Sequence, residues 1–199
     1  MERLSIVIVA GVNGCGKSTF AVNAAGKEVL LGQTAINPDT LTLAVTEEFP
    51  RIGPIGANLV GVERAEKAVW RAIAEGRSAA IETVLSSSKF VAVVRAARKR
   101  RYRTRRIFIG LPTVSLALER IEARVKQGGH AVPEARVRDR WARAHDNLIE
   151  FNRIVDDVLV FSNVGLEPTP VAERVGRTKM RLIDPDALPD VAKRLLRRK

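Results

Sequence analysis

The chain has one cysteine and one tyrosine among its 199 residues, and aromatic side chains make up only 5% of it. A lone Cys15 excludes an internal disulfide and suits a reducing compartment, so a cytoplasmic setting is expected. No apolar run approaches the roughly 20 residues that a membrane helix needs, and no membrane association is expected. The opening MERLSIVIVAG has a short apolar segment that gives way to glycines and a lysine. A secretion signal would need a longer apolar region and a small-residue cleavage site, so the expectation is a strand. Internal repeats, low-complexity tracts and dividing linkers are also missing, which leaves a single domain over residues 1–199. Its 46% hydrophobic content can bury a core, so disorder is not the default.

Acids are in short supply. Asp and Glu number 22 against 34 Lys and Arg, a net charge of +12. The excess is local: RAARKRRYRTRR, residues 95–106, holds eight cations and no acid, and the terminal KRLLRRK is a second cluster. Such runs read either as a nucleic-acid or anionic surface or as the solvated face of a protein whose ligands are polyanions. The first run has one aromatic, Tyr102, and so lacks the interleaved rings of a stacking platform. Nucleic acid is therefore not the expected partner.

What is present is an alternation. Strands are predicted over 3–10, 33–36, 78–84, 105–111 and 157–161. Helices are predicted over 17–25, 57–75, 88–101, 114–127 and 134–151, with a last basic one over 185–199 after a turn-rich stretch. Val62, Ala65, Val69 and Ile73 recur at helical spacing. Strands separated by helices predict an α/β fold, a mostly parallel sheet with helices on both faces.

Within it, Gly11-Val-Asn-Gly-Cys-Gly16-Lys17-Ser18 satisfies G-x-x-x-x-G-K-[ST] between a strand and a helix. The glycines leave backbone N–H groups free to ring a phosphate, and the helix start adds its positive dipole end. Lys17 reaches the β and γ oxygens, and Ser18 offers a hydroxyl to Mg²⁺. Cys15 reads as a small residue at a variable position or as a redox switch. The loop predicts a P-loop NTPase three-layer sandwich that binds a nucleoside triphosphate, ATP or GTP.

In such sheets ligands gather outside the carboxyl ends of the strands. Two acids fall there, Asp39 in INPDT and Glu82 in AAIETVLSS. Asp39 reads either as a base for an acceptor hydroxyl or as a helix cap, with Asp or Thr as N-cap. Glu82, in an apolar run, reads as functional because a lone buried carboxylate is costly. On helix 114–127, Leu118, Ile121 and Val125 make the expected core stripe, which puts Arg120 and Arg124 on the opposite face. On helix 134–151 the stripe is Val137, Trp141, Ala144 and Leu148, with Arg136, Arg140, Arg143 and Asn147 as a polar row and Arg138 beside it. Joined by GGHAVP, the two helices read as a helical lid over about 113–150. His130 is either a lid contact to substrate or a surface histidine.

AGVNGCGKSTF, INPDT, IETVLSS, RIFIGLP, ERIEARVKQGGHAVPE and RDRWARAHDNL, in this order and spacing, resemble the zeta-toxin family of P-loop kinases over about residues 4–165. The likeness is to its chromosomal, zeta-like branch. That resemblance implies transfer of the γ-phosphate of ATP or GTP to a sugar hydroxyl of UDP-N-acetylglucosamine, and an antitoxin protein as partner. It implies catalytic roles for Asp39 as base, Lys17, and Arg120 or Arg124. Nucleotide contacts would come from Gly11, Asn13, Gly14, Cys15, Gly16, Lys17, Ser18 and Thr19. Ser18 would also meet the metal, and Asp39, Glu82, Thr83, His130 and Arg138 would meet the acceptor, Glu82 as either a substrate-side or a metal-side acid. One departure stands out: plasmid-borne members carry a second arginine ahead of the lid helix where this chain has His130, so that charge passes to Arg138 or Arg140. The rival readings are a switch-type ATPase, a kinase for an antibiotic or nucleoside, and an ATP-dependent nucleic-acid binder. An LSGGQ-like signature and an apolar run ending in Asp-Glu, which a switch ATPase would carry, are both absent.

Overall fold

The computed structural model describes residues 3–129, 131–176 and 178–196. Its strands are β1 (Ser5–Ala10), β2 (Ala35–Ile36), β3 (Ala79–Thr83), β4 (Arg103–Gly110), β5 (Asp157–Ser162), β6 (Thr169–Arg174) and β7 (Arg181–Leu182). The helices are α1 (Lys17–Val22), α2 (Ala24–Val29), α3 (Pro38–Glu48), α4 (Gly53–Ala74), α5 (Lys89–Lys99), α6 (Val114–Lys126), α7 (Glu134–Ile154) and α8 (Pro189–Leu196). The strands form one sheet in the order β2-β3-β1-β4-β5-β6-β7. From β2 to β5 all pairings are parallel, whereas β6 and β7 add antiparallel. All six residues of β1 are buried, which requires helices on both faces and explains its unbroken apolar run.

Several elements differ from the sequence expectation: α3 (Pro38–Glu48) adds a helix, α4 starts at Gly53 and β4 at Arg103. The helix expected over 17–25 divides at Asn23, whose side chain accepts from the Gly26 N–H at 2.7 Å and so starts α2. The turn-rich stretch contains β6 and β7, where only Val171 and Ala172 of β6 are buried, too brief an alternation to read as strand. The last helix begins at Pro189, preceded by a 3₁₀ turn over Pro185–Ala187. The core stripe of α6 also shifts. Ala117 and Ile121 are buried and Val125 is exposed, because the helix turns toward the glycine loop and leaves its last turn in solvent.

The basic run resolves into structural contacts at the amino ends of the parallel strands, the opposite end of the sheet from the loop. Arg98 donates to Ile154 O at the end of α7, and Arg100 to Ile73 O at 2.7 Å near the end of α4. Arg105 donates to Val29 O at 2.7 Å at the end of α2. Cations suit these carbonyl-rich helix ends. Arg103 and Arg105 also hold the buried Asp157 at 2.7 and 3.1 Å. Burial alone would raise that carboxyl, but hydrogen bonds from Arg103 and the Gly176 N–H, with the charge of Arg105, hold it below the ordinary carboxylate range. The run is thus not wholly a solvated face. Arg100→Gln removes one such bond, worth about 1 kcal/mol, so the melting midpoint is expected to fall by about 2–4 °C. Calorimetry checks this, and RNA binding by the wild type should lack the steep loss between 50 and 200 mM salt that phosphate contacts impose.

Candidate active site

The site is built at the carboxyl end of β1. The Gly11 N–H donates to Thr83 O at 3.2 Å and ties the loop to β3. Gly14 and Gly16 have left-handed backbones, φ 82° and 86°, which L side chains rarely adopt. A Cβ on Gly14 would meet Ala117 O of α6, and one on Gly16 would strike the Asn163 amide. Asn163 donates to Cys15 O at 2.8 Å and braces the loop from beyond β5. Cys15 is fully buried, and burial pushes its thiol up despite Lys17 nearby. A sealed thiol with a raised pKa is not a reactive one, so the redox reading of Cys15 has no support here. Lys17 Nζ donates to Val12 O at 3.1 Å, folded across the loop that it closes. Gly16 caps α1 without a side-chain hydrogen bond. Thr19, on the first turn of α1, is exposed.

Around Ser18 three side chains converge. Its hydroxyl donates to Glu82 Oε2 at 2.8 Å, while Asn37 Nδ2 donates to Ser18 Oγ at 3.1 Å and to Glu82 Oε1 at 3.3 Å. Asn37 also caps α3, its Oδ1 accepting the Asp39 N–H at 2.8 Å. Pro38 occupies the first helical position, where its fixed φ suits a helix start. The cap is therefore Asn37, not Asp39 or Thr40, which leaves the carboxylate of Asp39 without a hydrogen-bond partner among the described residues. Glu82 is 5% exposed, in register with Val9 of β1. Its carboxyl is raised above the ordinary range, first by burial and then by the charge of Asp39, against the pull of Ser18 and Lys17. The folded state thus holds this proton to higher pH than the unfolded chain does. Across the window between the ordinary carboxyl value and the raised one, stability falls as pH rises. Glu82→Gln is expected to flatten that slope in a series of melts from pH 4 to 8 while impairing the site.

Arg140 is the arginine that α7 brings to the loop, with Nη1 donating to Asn13 Oδ1 at 2.9 Å. Burial first, then the like charges of Arg136 and Arg143, lower its pKa, while Asp39 opposes them. Asp39 is thus felt both at Glu82 and at Arg140. Arg138 pairs with Glu134 on its own helix at 2.7 Å, and no described contact joins it to the loop. Arg120 donates to Val164 O at 3.1 Å beside Asn163 and acts electrostatically on Cys15. Arg124 lies one turn further, its stem against Gly129. His130 lies outside the described residues. The Thr83 hydroxyl accepts the Leu85 N–H at 3.1 Å, and Asn147 of α7 donates to Leu85 O at 2.7 Å. These bonds hold the buried Leu85 in a left-handed backbone, φ 61°, a strained conformation of the kind that clusters at working sites. The carboxyl half of α7, with Ala144, Leu148 and Phe151 buried, is core rather than lid.

Asn37, Asn147 and Asn163 carried no assigned contacts in the sequence reading. Asn37 had a signal, since Asn before Pro at a helix start is a cap pattern. Asn163 had a weaker one, its place just past a strand's carboxyl end.

No family model matches the chain. An uncharacterized protein of Haemophilus influenzae is 27% identical over 135 residues, 68% of this chain and 91% of its own length. A chain of the AvrRxo1-ORF1:-ORF2 crystal structure with ATP superposes with a TM-score of 0.74 at 14% identity, over 98% of this chain. A chain from the PezAT chromosomal toxin–antitoxin system of Streptococcus pneumoniae gives 0.62 at 13% identity, over 87% of this chain and 72% of that one. The chain has their fold. It spans 65% of the length of the AvrRxo1 chain. The fold implied by the zeta-toxin resemblance, that of a P-loop kinase with a mostly parallel sheet, is the one observed. No described helix is long and apolar enough to cross a membrane.

Proposed function

We propose that the protein is a cytoplasmic P-loop kinase that moves the γ-phosphate of ATP or GTP to a hydroxyl of UDP-N-acetylglucosamine, and that an antitoxin protein is its partner. One observation carries the kinase reading. A single hydrogen-bonded set, Ser18–Glu82–Asn37, joins the phosphate loop to the cap of the helix that presents Asp39. This supports a reading in which the nucleotide site and the base share one frame, as in-line transfer demands.

The loop amides and Lys17 cradle the β and γ phosphates, with Lys17 leaving Val12 O to do so. Asp39 takes the proton of the acceptor hydroxyl as its oxygen bonds to the γ phosphorus, and the bond to the β-bridging oxygen breaks to release the diphosphate. Arg140 and Arg120 face the charge that spreads over the transferred group. The oxygen atoms of Ser18 and Glu82 suit a hard cation, and bound Mg²⁺ would neutralise charge on the β and γ oxygens. Ser18 would hold it directly and Glu82 from behind. The acceptor reading rests on the zeta-like motifs and on guanidinium groups near the loop, whose forks suit a pyrophosphate.

Arg140→Met tests the frame. It is expected to lower kcat by about 10²-fold with ATP affinity nearly unchanged, read by steady-state kinetics beside a binding titration. Unchanged kcat would remove α7 from the chemistry.

A further inference from the structure

Beside the carboxyl half of α7, the sheet buries a charge that no acid answers among the described residues. Arg106 of β4 is fully buried, and its Nε and Nη2 have no hydrogen-bond partner among the described residues. Its one bond is a long contact from Nη1 to Leu148 O of α7, 3.5 Å. One turn further along α7 stands Asn152, 7% exposed, with both amide atoms sealed from solvent and unengaged. Residues four apart lie on the same helix face, so the side chain of Asn152 shares the buried face of Leu148.

The registers complete the enclosure. Arg106 pairs with Val158, and Val158 with Arg174 of β6, which puts Arg106 and Arg174 on one face, either side of Val158. Arg174 donates to Val155 O at 2.7 Å and leaves its Nε buried and unpaired. Asp157 and Asp156 offset its charge. Among the described residues, the charge that acts on Arg106 is the like charge of Arg174, and burial first and then that charge pull its pKa down to about 9. A buried cation without a counter-charge costs several kcal/mol, and buried charges are as a rule paired.

We infer that Arg106, Asn152 and Arg174 form a buried anion site over Val158, taking one small monovalent anion of the halide class. The uncompensated charge is a single guanidinium, so one negative charge balances it. The free donors are N–H groups of Arg106, Arg174 and the Asn152 amide. A monatomic ion needs the least room of any anion in a closed layer between helix and sheet. Because the same helix carries Arg140 and Asn147 to the nucleotide site, the ion would fasten the base on which α7 stands.

The test is thermal unfolding of the full chain in sodium chloride against sodium gluconate at one ionic strength, for wild type, Arg106→Met and Asn152→Asp. Raising chloride from zero to 150 mM is expected to lift the wild-type midpoint by about 3 °C or more. Arg106→Met should show no such rise. Asn152→Asp supplies its own carboxylate, so in gluconate it should melt above wild type and be indifferent to chloride. Crystals grown with sodium bromide should give an anomalous peak between Arg106 and Asn152. A wild type blind to chloride, the same rise in Arg106→Met, or water alone at that position would overturn the site.

Discussion

Asp39→Asn is expected to slow phosphate transfer by about 10²–10⁴-fold while ATP affinity stays near that of the wild type. The side chain keeps its size and loses only its ability to take a proton. The structure removes the ambiguity that a bare Asn-Pro-Asp-Thr segment carries, because Asn37 already accepts the Asp39 N–H and caps α3. A capping loss therefore cannot mimic a catalytic one. Asp39 retains a small favourable interaction with the start of α3, worth about 0.3–1 kcal/mol, so melts should move by no more than a few degrees. Kinetics and melts on this one variant separate the roles, and full activity would rule out Asp39 as the base.

Lys17→Ala is expected to weaken triphosphate binding severely and to abolish measurable transfer. Lys17 is the loop's own cation, and its Nζ lies within reach of Val12 O, poised to swing to the β and γ oxygens. Fold stability should change little, since the ammonium makes one bond to a loop carbonyl. Titration with ATP and a coupled assay check both parts. Retained activity would mean that the glycine loop is not the phosphate site.

The central strands and most helices were legible because their periods are plain. The run SIVIVA and the stripe Val137, Ala144 and Leu148 declare a buried strand and a core-facing helix. The loop was legible because its chemistry demands glycines at fixed offsets. Pairings across long sequence separations were not. Nothing local says that Asn37, Ser18 and Glu82 meet, that Arg140 rather than Arg138 turns to Asn13, or that Asn163 braces Cys15. Arg138 stands beside the row that carries Arg140, and which of the two reaches the loop depends on how α7 rolls against the sheet. The basic run misled for the same reason. Charge density was visible, but that Arg98, Arg100 and Arg105 lie against the ends of three different helices depends on the sheet order.

The most direct measurement of the central claim is transfer of label from γ-labelled ATP, with Mg²⁺, to UDP-N-acetylglucosamine, followed by mass spectrometry of the sugar nucleotide. The proposed reading expects a product heavier by one phosphoryl group, on a sugar hydroxyl, formed by the wild type and not by Asp39→Asn. ATP hydrolysis without any phosphorylated sugar nucleotide, across a panel of UDP-sugars and long incubation, would contradict it.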